Sequence, residues 1–234
     1  MEIRGQRECR ACGTRWSYYE TGQITCPACG SARSVGLDEP TEHTAGHDSF
    51  DLTPIRRDVD EQPLRDLADR AADEARAYVA GVGFVHTGEL QPLSETVLAA
   101  SELRRVGRTV GRLMRLESDE ELYFLSLLRG ADSGDRPTPE EVPEVFHPER
   151  GLAVAASVDS YLSDLRRVCD EREKSVDRVL SSLSAHRKRI EALDGAVEPT
   201  EAERLVQGTR ELSEYLREGD ETALVTALER FDQP

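Results

Sequence analysis

Cys9-Arg10-Ala11-Cys12-Gly13 and Cys26-Pro27-Ala28-Cys29-Gly30 decide how the start of this chain is read. Each is a Cys-x-x-Cys-Gly knuckle, and 13 residues separate the two pairs. Two intervening residues allow a tight turn, so both sulfurs of a pair reach one ion, and four soft thiolates close a tetrahedral zinc site. Glycine after each second cysteine suits a turn position with positive φ, and Pro27 stiffens the approach to the second turn. The expected ligand set is Cys9, Cys12, Cys26 and Cys29, with zinc as the cofactor. A redox dithiol needs only one such pair, beside a βαβ pattern that is missing here.

The residues between the knuckles predict a small β ribbon. Thr14-Arg15-Trp16-Ser17-Tyr18-Tyr19-Glu20 is aromatic and β-prone, Thr21-Gly22-Gln23 supplies a turn, and Ile24-Thr25 begins a return strand. Residues 31–37 supply a third strand. Strand alternation would set Trp16 and Tyr18 on one face and Arg15 and Tyr19 on the other. Arg15, Trp16, Tyr18 and Tyr19 are therefore the expected partner-binding residues. The competing use of these rings is as the minimal core of a module too small to build another.

The chain has 234 residues, enough for a second core beyond a ribbon at 1–36. Residues 37–62 are polar, acidic and interrupted by Pro40 and Pro54, and they read as a linker in which His43 and His47 are solvated. Residues 63–234 read as an acidic helical domain. Leu64, Leu67, Ala71, Ala75, Tyr78 and Val82 mark one amphipathic helix, and Val97, Ala100, Leu103, Val106, Val110 and Leu113 mark the next, with Ser94 as its N-cap. Ser118 and Glu121 have capping-box spacing before the apolar run 122–128, as do Thr200 and Glu203 before a later helix. From Val158 through Leu162, Leu165, Cys169, Val176, Val179, Leu183 and Ile190 to Leu193, spacings of three and four alternate. This predicts one long coiled-coil-like helix with Arg172 and His186 as polar interruptions, and a surface for a homo-oligomer. The fold class is thus a small β zinc ribbon followed by an all-α bundle.

Charge is unevenly distributed. Residues 1–35 carry five arginines against three glutamates, while the whole chain stands at −16. Lys174 and Lys188 are the two lysines among 30 basic residues. Acidity with so little lysine predicts a highly saline cytoplasm, where large net charge maintains solubility. At ~1 M salt the Debye length is about 3 Å, so a mildly basic ribbon is weak support for nucleic-acid binding. No run of about 18 apolar residues and no apolar leader is present, which predicts a cytoplasmic protein without membrane contact.

Taken together, Ile3-Arg4-Gly5, Cys9 to Gly13, Thr14 to Gly22 and Cys26-Pro27-Ala28-Cys29-Gly30-Ser31 resemble the haloarchaeal proteins described as transcription factor B (TFIIB)-type zinc-ribbon proteins. The resemblance is specific over residues 1–36. It implies a ribbon like the one with which that factor docks on RNA polymerase, and no activity; the expected partner is a protein or nucleic acid of the transcription or translation machinery. Transcription factor B itself continues into two repeated cyclin-like domains with basic surfaces, whereas residues 37–234 here are acidic and show no repeat.

The expected function is a non-enzymatic zinc-binding interaction protein. The alternative is a rubredoxin-like iron protein for electron transfer, since such modules share the Cys-Pro-x-Cys-Gly knuckle and accompany di-iron bundles in rubrerythrin-like chains. Glu144-Val145-Phe146-His147 is a single E-x-x-H match bracketed by prolines, without the second copy a di-iron site needs. No serine elbow or phosphate loop occurs.

Overall fold

The computed structural model describes residues 1–46, 49–169 and 173–232. His47 and Arg172, both singled out in the sequence, lie outside the described residues.

The N-terminal part holds strands β1 (Glu2–Ile3), β2 (Gln6–Cys9), β3 (Arg15–Ser17), β4 (Ser34–Gly36) and β5 (Thr41–Glu42), with the single helical turn α1 (Tyr18–Thr21). β2 is the central strand of an antiparallel sheet of order β3-β2-β4, with Arg7 opposite both Trp16 and Gly36. The third strand falls within the span 31–37. The expected return strand at Ile24-Thr25 does not form, because β2, upstream of the first knuckle, takes the pairing edge of β3 and Ile24 is left exposed.

Residues 41–45 join this sheet to the helices. β5 pairs with β1, placing Glu2 opposite Glu42. The Thr44 hydroxyl donates to Asp164 at 2.6 Å, and the same carboxylate oxygen accepts the Phe84 amide at 2.8 Å. Asp164 is buried, and the two donors satisfy its carboxylate oxygen. Glu42 also pairs with Arg167 at 3.1 Å.

The rest is helical: α2 (Thr53–Arg56), α3 (Leu64–Gly81), α4 (Glu95–Arg112), α5 (Ser118–Gly130), α6 (His147–Val168), α7 (Lys174–Ala192), α8 (Pro199–Glu218) and α9 (Glu221–Asp232), with a short hairpin of β6 (Val85–His86) and β7 (Glu89–Leu90) between α3 and α4. α4 packs on α3 and α6, and α6 packs on α7 and α8. Small residues permit this. Ala99, Ala100, Ser101 and Gly107 bury α4 on several sides, and a Cβ at Gly107 would lie 2.7 Å from the Ala68 carbonyl of α3. Ser94 caps α4 as its sequence indicates, its Oγ accepting the Val97 amide at 3.3 Å. At α5 the capping box forms one residue earlier than expected, from Glu117 and Glu120.

Two expectations are corrected. The segment 37–62 is not a bare connection: Leu52 and Ile55 are buried in the core with α3, α4 and α5, and Asp132 accepts the Leu52 amide at 2.9 Å and pairs with Arg56 at 2.7 Å. Second, the apolar seam from Val158 to Leu193 is divided between α6 and α7, which pack against each other. Val158, Leu162, Leu165, Val176, Val179 and Leu183 lie in one buried cluster with α8 and α9. Asp170-Glu171-Arg172-Glu173 offers no apolar residue to hold a continuous seam. Most of the stripe is therefore buried within the chain, while its last member, Leu193, stays 44 % exposed. His186 packs its ring 4.8 Å from that of Phe231.

Candidate metal centre

Both knuckles fold by the same local rule. The Gly13 amide donates to the Cys9 carbonyl and the Gly30 amide to the Cys26 carbonyl, each at 2.9 Å. The Cys9 and Cys26 amides donate in turn to the Thr14 and Ser31 carbonyls, also at 2.9 Å. Gly13 and Gly30 have φ of 76° and 69°. A Cβ at either would meet nothing within 4 Å, so glycine is required for the backbone angle and not for space.

The two turns face each other. Cys9 and Cys29 sulfurs are 3.6 Å apart, as are those of Cys12 and Cys26, and all four sulfurs lie within 4.8 Å of one another. A disulfide needs about 2.05 Å, so none is formed. Four sulfurs at ~2.3 Å around a tetrahedral zinc would be roughly 3.8 Å apart, close to the spacing seen. Cys9 and Cys26 are buried, while Cys12 and Cys29 face solvent.

The acidities show why the cluster suits a cation. Hydrogen bonding with the Thr14 hydroxyl and with the Thr14 backbone pulls the Cys12 thiol down to about 6. At Cys29 the Ser31 backbone acts to lower the pKa, but the Cys12 and Cys9 sulfurs and burial together push it up to about 12. Four thiols this close do not all ionise alone, and a divalent ion removes that conflict. The Ala11 amide also points at the Cys9 sulfur, at 3.4 Å. Thr14 was not anticipated as a participant. The signal was present, since a hydroxyl residue follows the glycine in both knuckles, Thr14 in one and Ser31 in the other.

The aromatic residues expected to form a recognition face are largely turned inward. Trp16 is buried beside Cys9 and Cys26, with its indole N–H donating to the Gln23 carbonyl at 2.9 Å. Tyr18 is not on the strand with Trp16; β3 ends at Ser17 and Tyr18 opens α1, half-buried. Tyr19 bonds through its hydroxyl to Thr41 at 2.6 Å and packs its ring 4.9 Å from His43 and 5.8 Å from His86. His43 is only 3 % exposed, which corrects its reading as a solvated linker histidine. A module with so few large side chains spends them on its own core and its seat on the helices. Arg15 remains exposed, paired with Glu8 at 2.6 Å.

The remaining candidates form no site. Glu144 lies in a 3-10 turn and His147 begins α6, with its ring near the Val142 carbonyl. Cys169 caps the end of α6 and packs against the core. Among the described residues, the four cysteines are the one group of three or more ligand-type side chains close enough to share an ion.

These features define a mostly helical protein with small antiparallel sheets near its N-terminus and a four-cysteine site positioned to hold a metal ion. Among the described residues no helix is long and apolar enough to cross a membrane. The chain belongs to a family of unknown function (DUF7117), whose model matches residues 1–231. Comparison with curated proteins and with solved structures gave no match.

Proposed function

We propose that this is a non-enzymatic interaction protein in which one zinc ion, held by Cys9, Cys12, Cys26 and Cys29, shapes an N-terminal ribbon that docks on a protein partner. The observation that carries the reading is the gathering of four cysteine sulfurs within 4.8 Å of one another. Four protein ligands leave no position for water or substrate, the arrangement of structural rather than catalytic zinc. The resemblance of residues 1–36 to the transcription factor B ribbon favours a partner in the transcription machinery, in a saline cytoplasm. Trp16 is buried, and Tyr18 and Tyr19 pack with His43, so we place the docking contact on the exposed Arg15 and the exposed tips of the knuckles.

Two measurements test this. Elemental analysis of the purified chain is expected to give one zinc per chain and a colourless protein. A red, iron-loaded protein with a reversible visible reduction would overturn zinc in favour of the rubredoxin-like alternative. Purified RNA polymerase from a haloarchaeon, assayed at multimolar salt, is expected to retain the wild-type chain and to lose the Arg15→Glu variant. Equal retention of both, or of neither, would refute docking through this surface.

A further inference from the structure

Arg104 on α4 differs from most of the buried and partly buried arginines. Arg136, Arg150, Arg187 and Arg210 each meet a glutamate, Glu203, Glu102, Glu191 and Glu95 respectively. Among the described residues, Arg104 and its neighbour Arg105 are the half-buried arginines with neither a carboxylate at ion-pair distance nor a hydrogen bond. In a chain with 46 acidic residues against 30 basic ones, that lack of partners is selective.

What surrounds Arg104 is a small cavity of about 100 Å³. Ser101, Arg104, Ser157 and Ser160 supply its polar lining, and Val79, Val82, Phe84 and Val97 its apolar walls. The Ser157 hydroxyl already bonds to Ser101 at 2.9 Å, and Ser160 is exposed at the rim. Burial, and the nearby guanidiniums of Arg108 and Arg76, hold the Arg104 pKa below its usual value. A guanidinium crowded by like charges, half out of water and without a counterion, is an unfilled anion position.

We propose that Arg104 and this cavity bind a small organic monocarboxylate, its head on the Arg104 fork and its short apolar tail between Val79, Val82 and Phe84. A planar carboxylate matches two guanidinium N–H donors. The volume holds about three water-sized groups at ~30 Å³ each, so the tail is about three carbons long. Inorganic phosphate fits less well: the Ser157 and Ser101 hydroxyls are bonded to each other, so beyond Ser160 at the rim its remaining oxygens would face the apolar walls. The site is independent of the cysteines and of whatever the ribbon contacts.

The test uses the full-length, metal-loaded chain and sodium butyrate at constant ionic strength. Valine methyl resonances of Val79 and Val82 are expected to shift saturably in the wild type. Arg104→Gln should weaken binding at least tenfold, and Arg105→Gln should leave it unchanged. Arg104→Lys, which keeps the charge and is safest for folding, should weaken it severalfold because the fork is lost. Inorganic phosphate should give no saturable shift at these methyls. The proposal is overturned by no saturable response to butyrate, by equal affinity in the Arg104 variants, or by phosphate matching butyrate.

Discussion

Replacing Arg150 by methionine tests the electrostatic centre of the helical part. Arg150 is 1 % exposed and Glu102 fully buried. The guanidinium of Arg150 donates to the Pro137 carbonyl at 2.9 Å and lies 3.4 Å from Glu102 and 3.3 Å from Glu203. Arg136 reaches the same two carboxylates at 3.6 and 2.8 Å, and the Tyr123 hydroxyl donates to Glu102. The cluster ties α4, α5, α6, α8 and the loop before α6 together. Burial opposes the charge on Arg150, but Glu102 chiefly, with Tyr123 and Glu203, outweighs it and raises its pKa. Arg150→Met would leave Glu102 buried with only Arg136 and a phenol. Breaking a buried pair in this way costs about 3–5 kcal/mol, and the surviving Arg136 sets the expectation near the lower end. For a chain of this size, a loss of about 3 kcal/mol lowers the melting temperature by about 6–12 °C. Urea unfolding followed by far-UV circular dichroism measures the loss directly. Arg187→Met, which breaks the half-exposed Glu191 pair, is the control and should cost under about 1 kcal/mol. The buried effect should survive ~1 M salt, which screens only the exposed pair. An Arg150→Met loss below about 1 kcal/mol, or one that disappears in salt, would refute this account of the core.

Three further outcomes are expected. Cys26→Ser should reduce bound metal by mass spectrometry and increase protease cleavage within residues 1–36 while most of the far-UV helical signal remains, because metal affinity in such a module is folding free energy; full metal retention would contradict the ligand assignment. Gly107→Ala should destabilise the chain by about 1–3 kcal/mol in urea, although alanine favours helix, because the new Cβ would stand 2.7 Å from the Ala68 carbonyl. Burial chiefly pushes the Tyr161 phenol up to about 12, against about 10 unfolded, so the folded state favours the neutral form. Stability from this source is intact below pH ~10 and falls as pH rises toward 12, by up to about 3 kcal/mol; Tyr161→Phe should flatten that part of the alkaline denaturation profile.

Much of the outline was legible because it is local. The cysteine spacing and the glycine after each pair specify two like turns, and the pairing of β2 with β4, Cys9 opposite Ser34, helps to bring them face to face. The periods of three and four in α3, α4 and α8, and the cap at Ser94, act within one or two helical turns.

What tertiary structure decided concerns pairings distant in sequence. Periodicity marks the seam of α6 and α7 as apolar but does not say whether a second chain or the same chain covers it; the fold covers it with α8 and α9. Glu203 has the spacing of a capping-box residue, yet it binds Arg136 from a loop 67 residues away. Trp16 and Tyr19 show aromatic character in sequence, but whether a ring faces a partner or its own core depends on what the fold brings beside it, here Cys9 and Cys26 for one and His43 and His86 for the other. Arg104 and Arg150 are alike as residues on amphipathic helices. Only the arrangement of neighbouring helices gives Arg150 two carboxylates and leaves Arg104 beside an open cavity, because a charge is satisfied by what lies across space and not by its position along the chain.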